Sequence, residues 1–198
     1  MPENLHQAEG ARDALVLTHG AGSNCATPLL VAVAEAFAAS GITVLRYDLP
    51  FRQARPHGPP LAGDAARDRD GLKQAAIEMR KLVPGRVFLG GHSYGGRQAT
   101  LLATTEPGLE EGLLLLAYPL HPPRRPEQVR TAHFPNLKTP AVFVHGARDP
   151  FGTLDQMRQA LALIPGPTTL IEVEGAGHDL SRGDAAQQAV AAFRGLMP

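Results

Sequence analysis

The sequence predicts an α/β protein with a parallel sheet covered by helices on both faces. Three observations carry that prediction. Short apolar, β-rich runs alternate with longer stretches of helical spacing. The runs are nearly continuous in apolar residues, as strands buried on both faces are. Polar residues that can do chemistry follow the runs rather than interrupt them, and in such sheets ligands bind beyond the carboxyl ends of the strands.

The elements follow in order. Ala14 to Thr18 (ALVLT) is a first strand, ended by His19-Gly20. Leu29 to Ser40 is alanine-rich with helical spacing and stops at Gly41. Ile42 to Tyr47 (ITVLRY) is a second strand, ended by Asp48. Asp64 to Leu82 is a long amphipathic helix closed by Pro84-Gly85. Arg86 to Leu89 is a third strand, and Gly95 to Thr105 the helix after it, stopped by Pro107-Gly108. Leu113 to Ala117 and Ala141 to His145 are the fourth and fifth strands. Leu154 to Ile164 is a helix, Thr168 to Val173 the sixth strand, and Asp184 to Leu196 a final helix.

The chain of 198 residues is long enough for one domain with a substantial core. We read residues 1–13 as a polar tail and residues 14–198 as that domain. The N-terminal MPENLHQAEGARD has no apolar stretch of the kind a signal peptide needs. The run Leu113 to Leu116 is far too short to span a bilayer. Formal net charge is zero, so no global field attracts nucleic acid or an anionic membrane. The single cysteine, Cys25, allows no internal disulfide and disfavours a cysteine-based metal site. The expectation is a soluble cytoplasmic protein with no cofactor and no metal, its oligomeric state open.

The stretch Val87 to Ala99, VFLGGHSYGGRQA, crowds four glycines around Ser93. Gly91-His92-Ser93-Tyr94-Gly95 fits G-x-S-x-G, in which a serine occupies a strained turn from strand to helix. Downstream, HGARDPFG follows the fifth strand and GAGHDL the sixth, giving Ser93, Asp149 and His178 in chain order, each just past its own strand. A serine hydroxyl is a poor nucleophile unless an imidazole takes its proton, and a carboxylate behind the imidazole fixes its tautomer. The candidate roles are Ser93 as nucleophile, His178 as base and then acid, and Asp149 as orienter. Asp179 and Asp48 are rival acids. The backbone N–H groups of Ala21, after the first strand, and Tyr94, after the nucleophile, are the candidate oxyanion hole. His19, His92 and His145 read as structural, and Cys25 as a helix-start residue.

THGAGSN, RYDLPFRQ, GGHSYGGRQ, HGARDPFG and GAGHDL together resemble the small bacterial α/β-hydrolases called dienelactone-hydrolase-like. More narrowly, the chain resembles the family shared with a testis-expressed hydrolase-like protein and a subunit of a histone acetyltransferase complex. The likeness runs from about Leu15 to Leu196. It implies a compact α/β-hydrolase fold with six parallel strands in the order 2-1-3-4-5-6 and no large lid. Dienelactone hydrolases are expected to use a cysteine where this chain has Ser93, which sets dienelactone itself aside as a substrate.

Only Tyr118 to Pro140 separates the fourth and fifth strands, where larger lipases carry a helical lid. The insert is proline-rich and basic, with Arg124, Arg125 and Arg130; the loop Leu49 to Gly63 adds Arg52 and Arg55. If these rim the cleft, the substrate is a small ester or thioester, an anionic one favoured, with Arg52, Tyr118, Arg124 and Arg125 as candidate contacts. If not, they are solvated charges or partners of Asp64, Asp68 and Glu127. The expected function is serine-dependent cleavage of a small ester or thioester. A non-catalytic scaffold on the same fold is the alternative. A dinucleotide-binding reading of Gly20-Ala21-Gly22 with Asp48 lacks the third glycine and leaves the three downstream residues unexplained.

Overall fold

The computed structural model describes residues 3–197. Its elements in chain order are β1 (Leu5–His6), β2 (Asp13–Thr18), α1 (Pro28–Ala39), β3 (Ile42–Tyr47), α2 (Pro50–Ala54), α3 (Asp64–Leu82), β4 (Val87–His92) and α4 (Tyr94–Thr105). They continue with β5 (Leu113–Leu116), a 3-10 turn (Phe134–Asn136), β6 (Ala141–Gly146), α5 (Leu154–Leu161), β7 (Thr168–Val173) and α6 (Ala185–Leu196). The sheet order is β1-β3-β2-β4-β5-β6-β7. All neighbours are parallel except β1, which runs antiparallel to β3.

The alternation along the strands sorts the core into two layers. Val16, Leu89, Leu113, Leu115 and Phe143 face α3, α4 and α5, with Leu72, Leu102 and Met157 against them. Leu15, Leu17, Leu114, Leu116 and Val144 face the opposite way onto α1 and α6, where Phe37 and Phe193 meet edge to face at 5.3 Å. Strands with both faces packed leave no alternating polar row, which is why their sequences are nearly continuous in apolar residues.

The sheet has seven strands, one more than the sequence reading. Leu5–His6 pairs with Leu45 and Val44, inside the stretch read as a polar tail. The buried Arg46 holds it there: its guanidinium donates to Glu3 O at 3.0 Å and to His6 Nε2 at 2.8 Å, and its backbone N–H to Asn4 O at 2.9 Å. The proline-rich loop after Asp48 also contains the short helix α2, whose Phe51 is fully buried. The insert after β5 has no helical lid; Tyr118 and Phe134 pack it onto Phe143. No helix of the described residues is long and apolar enough to cross a membrane.

Register brings the strand ends together. Thr18 lies opposite Gly91 and Tyr47, Leu116 opposite His92 and Val144, and Gly146 opposite Val173. The segments that follow these residues therefore meet at one edge.

Candidate active site

Ser93 stands between β4 and α4 with φ 52° and ψ −112°. A non-glycine residue at positive φ is strained, by about 1–3 kcal/mol, and persists only where its surroundings hold it. The hold is visible. Ser93 N–H donates to Leu116 O at 2.8 Å, and the N–H of Gly95 reaches back to His19 O at 3.1 Å. A Cβ on Gly91 would come within 2.8 Å of Gly96 N, and one on Gly95 within 2.7 Å of His19 O. The glycines on either side of Ser93 are thus required by the closeness of β2, β4 and α4.

A continuous hydrogen-bond relay starts at that serine. Ser93 Oγ lies 2.8 Å from His178 Nε2, and His178 Nδ1 lies 2.8 Å from Asp149 Oδ2. The carboxylate requires Nδ1 to carry the proton, which leaves Nε2 free to accept the serine hydroxyl. Asp149 is buried, and its other oxygen accepts the Phe151 N–H at 2.8 Å. The Phe151 ring stacks on the imidazole at 4.0 Å between centroids. His92 donates its Nε2–H to the His178 carbonyl at 2.7 Å, which fixes the backbone that carries the imidazole.

Three other histidines near the site, His19, His92 and His145, are neutral spacers. Burial holds His92, His145 and His19 below the usual imidazole range. His145 Nε2–H donates to Gly152 O at 2.8 Å and stays 3.8 Å from Asp149, so His178 is the closer partner of that carboxylate. His19 accepts the Leu49 N–H on Nε2 and donates from Nδ1 to Gly20 O, so its 3.4 Å approach to Asp48 is not an ion pair. Asp48 instead accepts the Cys25 N–H at 2.7 Å. Asp179 is exposed and accepts the Ser181 N–H, whose hydrogen bonds hold its carboxyl below the usual range. Neither rival acid bonds to His178. Burial and the Asp48 carboxylate push the Cys25 thiol up to about 11, which leaves it unreactive at neutral pH.

Beside the serine, two amides point nowhere within the protein. Among the described residues, no acceptor engages the N–H of Ala21 or of Tyr94. Tyr94 opens α4, so its N–H is one of the helix's orphan donors. The Ala21 loop is clamped from behind by Arg52, whose guanidinium donates to the carbonyls of Ser23 (2.8 Å), Ala21 (3.1 Å), Gly58 (2.9 Å) and Arg55 (3.1 Å). The Tyr94 hydroxyl donates to Asp68 at 2.7 Å, which anchors the start of α4.

Ser93, His178, Ala21 and Tyr94 open onto one cleft of about 560 Å³. Of the four residues named from sequence as substrate contacts, none lines it. Arg52 is buried behind the Ala21 loop, Tyr118 is buried with its hydroxyl donated to Arg130 O at 2.9 Å, and Arg124 and Arg125 project from the exposed insert. The wall is formed instead by Arg97, Arg130, Pro119 and Phe151. Arg97 was findable from spacing, since it lies one helical turn after Ser93. A second, more apolar cleft of about 580 Å³ shares Ser23 and His92 with the first and is lined by Pro28, Leu29, Ala32 and Leu180. Among the described residues, no group of three His, Cys, Asp or Glu side chains is arranged to hold a metal ion.

Solved structures share this architecture over nearly the whole chain. A dienelactone hydrolase from Anabaena variabilis superposes with a TM-score of 0.78 at 22% identity, covering 98% of this chain and 91% of that one. A lidless α/β serine hydrolase from Xanthomonas campestris gives 0.72 at 18%, covering 96% and 85%. An α/β serine hydrolase homologue from Coxiella burnetii gives 0.75 at 16%, covering 97% and 89%. Identities this low speak to fold. The model of the alpha/beta hydrolase domain family matches residues 11–192, and the chain belongs to that family.

Proposed function

We propose that the protein is a serine-dependent hydrolase of small carboxylic esters or thioesters, working through an acyl-enzyme. The observation that carries this reading is the relay Ser93–His178–Asp149, with both links at 2.8 Å and the serine held in a strained turn. Ser93 Oγ attacks the ester carbon while His178 Nε2 takes its proton, and the carbonyl electron pair moves onto oxygen. In this reading that oxyanion is bound by the Ala21 and Tyr94 amides, which have no acceptor among the described residues and belong to residues lining the same cleft. Collapse breaks the bond to the alcohol or thiol, which leaves with the proton from His178. Water then repeats the sequence on the acyl-enzyme, giving the carboxylic acid and free Ser93. Asp149 keeps Nδ1 protonated and stabilises the imidazolium of each half-reaction.

The absence of a helical lid from the insert 118–140 fits a short acyl or alkyl group better than a long-chain lipid. Zero net charge and a single cysteine fit a cytoplasmic protein that meets small molecules rather than nucleic acid or membrane.

Hydrolysis of p-nitrophenyl acetate by wild type and Ser93→Ala tests the reading. Wild type is expected to turn over and Ser93→Ala to fall to the uncatalysed rate with an unchanged melting temperature. Most of the rate surviving in Ser93→Ala would remove the serine from the mechanism. No turnover by wild type would favour a non-catalytic scaffold.

A further inference from the structure

Arg97 and Arg130 form one wall of the Ser93 cleft. Neither pairs with a carboxylate among the described residues, although Arg55, Arg67, Arg80, Arg86 and Arg158 all do. The Nε of Arg97 is buried without a hydrogen-bond partner. Among the described residues, the side chain of Arg130 makes one bond, a long one of 3.5 Å to Pro119 O. Burial and the charge of Arg97 together lower the pKa of Arg130, so the two guanidinium groups are near enough to repel. Among the described residues, no neighbouring acid offsets them. Asp149, the buried carboxylate of the site, is engaged by His178 and Phe151. His133, below Arg97, donates to Thr100 at 2.8 Å and is pushed down to about 4 by burial and by Arg97, so it stays neutral.

We infer that Arg97 and Arg130 form an anion subsite, and that the cleft takes small esters or thioesters carrying a carboxylate or phosphate on the part of the molecule lying along that wall. The inference rests on the hydrolase reading for its chemistry and on the two unpaired arginines for its selectivity. Guanidinium groups that are partly desolvated and lack partners are costly, and a carboxylate or phosphate that bridges them satisfies both by forked hydrogen bonds. Arg97 and Arg130 line the same cleft as Ser93. An anion on that wall is therefore joined to the attacked carbonyl by a short carbon chain.

Two measurements test this. The first compares mono(4-nitrophenyl) glutarate with its methyl ester, in which the carboxylate is masked, after subtraction of the uncatalysed rates. Wild type is expected to favour the carboxylate by at least about 10-fold in kcat/KM, and the ratio of the two values to fall about 10- to 100-fold in Arg97→Gln or Arg130→Gln. Arg97→Lys, which keeps the charge and loses the fork, is expected to restore part of the ratio. The second measures binding of glutarate and of inorganic phosphate to Ser93→Ala by calorimetry, with and without Arg97→Gln. Binding of glutarate alone identifies a carboxylate, and binding of phosphate alone a phosphate. Equal turnover of the two esters, or a ratio unmoved by either arginine variant, overturns the inference while leaving the hydrolase reading intact. Arginine-dependent anion binding with no ester turned over leaves the subsite standing and removes the hydrolase reading. Failure of both glutarate and phosphate to bind in the second measurement counts against the subsite whatever the esters do.

Discussion

The two ends of the sheet are built from the same strands and handle their polar groups in opposite ways. At the amino end, charges close on one another. Asp13 takes the Arg86 backbone N–H at 2.7 Å and its guanidinium at 2.9 Å. Glu111 takes the Val87 N–H at 2.8 Å and the Arg80 guanidinium at 3.0 Å, and Thr139 donates to Glu110 at 3.0 Å. At the carboxyl end, groups converge on a cleft and stop there. Among the described residues, two amides there have no acceptor and two arginines no acid, and one serine is held in a strained turn beside a histidine. Half-buried donors that converge on one cleft, with the buried Arg97 Nε among them, are the arrangement that a bound ligand would complete. The amino end ties its polar groups into the fold, and the carboxyl end leaves bonding capacity unused within the described residues, as the proposed function requires.

Single substitutions at either end can break that contrast. The largest effect is expected at Asp149. Replacing a triad acid by its amide costs about 10⁴ in turnover in a protease, because the imidazole takes the wrong tautomer. Asp149→Asn should approach that loss, while Asp48→Asn and Asp179→Asn, which remove no bond to His178, should lose far less. Asp13→Asn at the amino end is the control, expected to lower the melting temperature and leave turnover near wild type. Steady-state kinetics and melts of the four variants decide it. An Asp179→Asn enzyme more damaged than Asp149→Asn would misplace the acid.

A smaller effect is expected at Arg52, a cation that holds the Ala21 loop from behind. Losing an oxyanion donor outright costs about 10²–10³ in rate. Arg52→Ala, which only loosens the loop, should lose roughly 10-fold or more in kcat with KM little changed. Arg52→Lys should not restore the rate, since one ammonium cannot reach four carbonyls. A change confined to KM would make Arg52 a substrate contact after all.

The smallest effect lies at the amino end's one exception. Glu110 Oε2 is buried without a partner, and burial pushes the carboxyl up to about 7. The folded pKa is raised above the unfolded one. Stability from the neutral form is therefore complete below about 4.5 and is lost as pH rises through about 7. Glu110→Gln, neutral at every pH, should gain about 1–3 kcal/mol at pH 8 and little at pH 4.5, read from melts at both. Equal shifts at the two pH values would contradict the burial argument.

What could be read from sequence follows the same division. The six parallel strands, their order and the three strand-end residues Ser93, Asp149 and His178 are carried by local patterns: apolar runs, glycine spacing and chain order. The two-residue strand Leu5–His6 has no periodicity to betray it; it exists because the buried Arg46 gathers Glu3, Asn4 and His6. The roles of the arginines were equally hidden. Basic residues in the two proline-rich loops pointed to a basic rim, but Arg52 turns inward onto carbonyls, Arg124 and Arg125 face solvent, and the cleft takes Arg97 and Arg130. Which way a loop side chain turns is decided by backbone acceptors far apart in sequence, and no local pattern encodes it.

The central claim is that the strained serine at the carboxyl end is an activated nucleophile. Intact-mass measurement after treatment with a fluorophosphonate, followed by peptide mapping, tests it directly. The account expects one adduct per chain, on Ser93, strongly reduced in His178→Gln and Asp149→Asn. A wild-type protein that stays unlabelled, or carries its adduct on another residue, would contradict it.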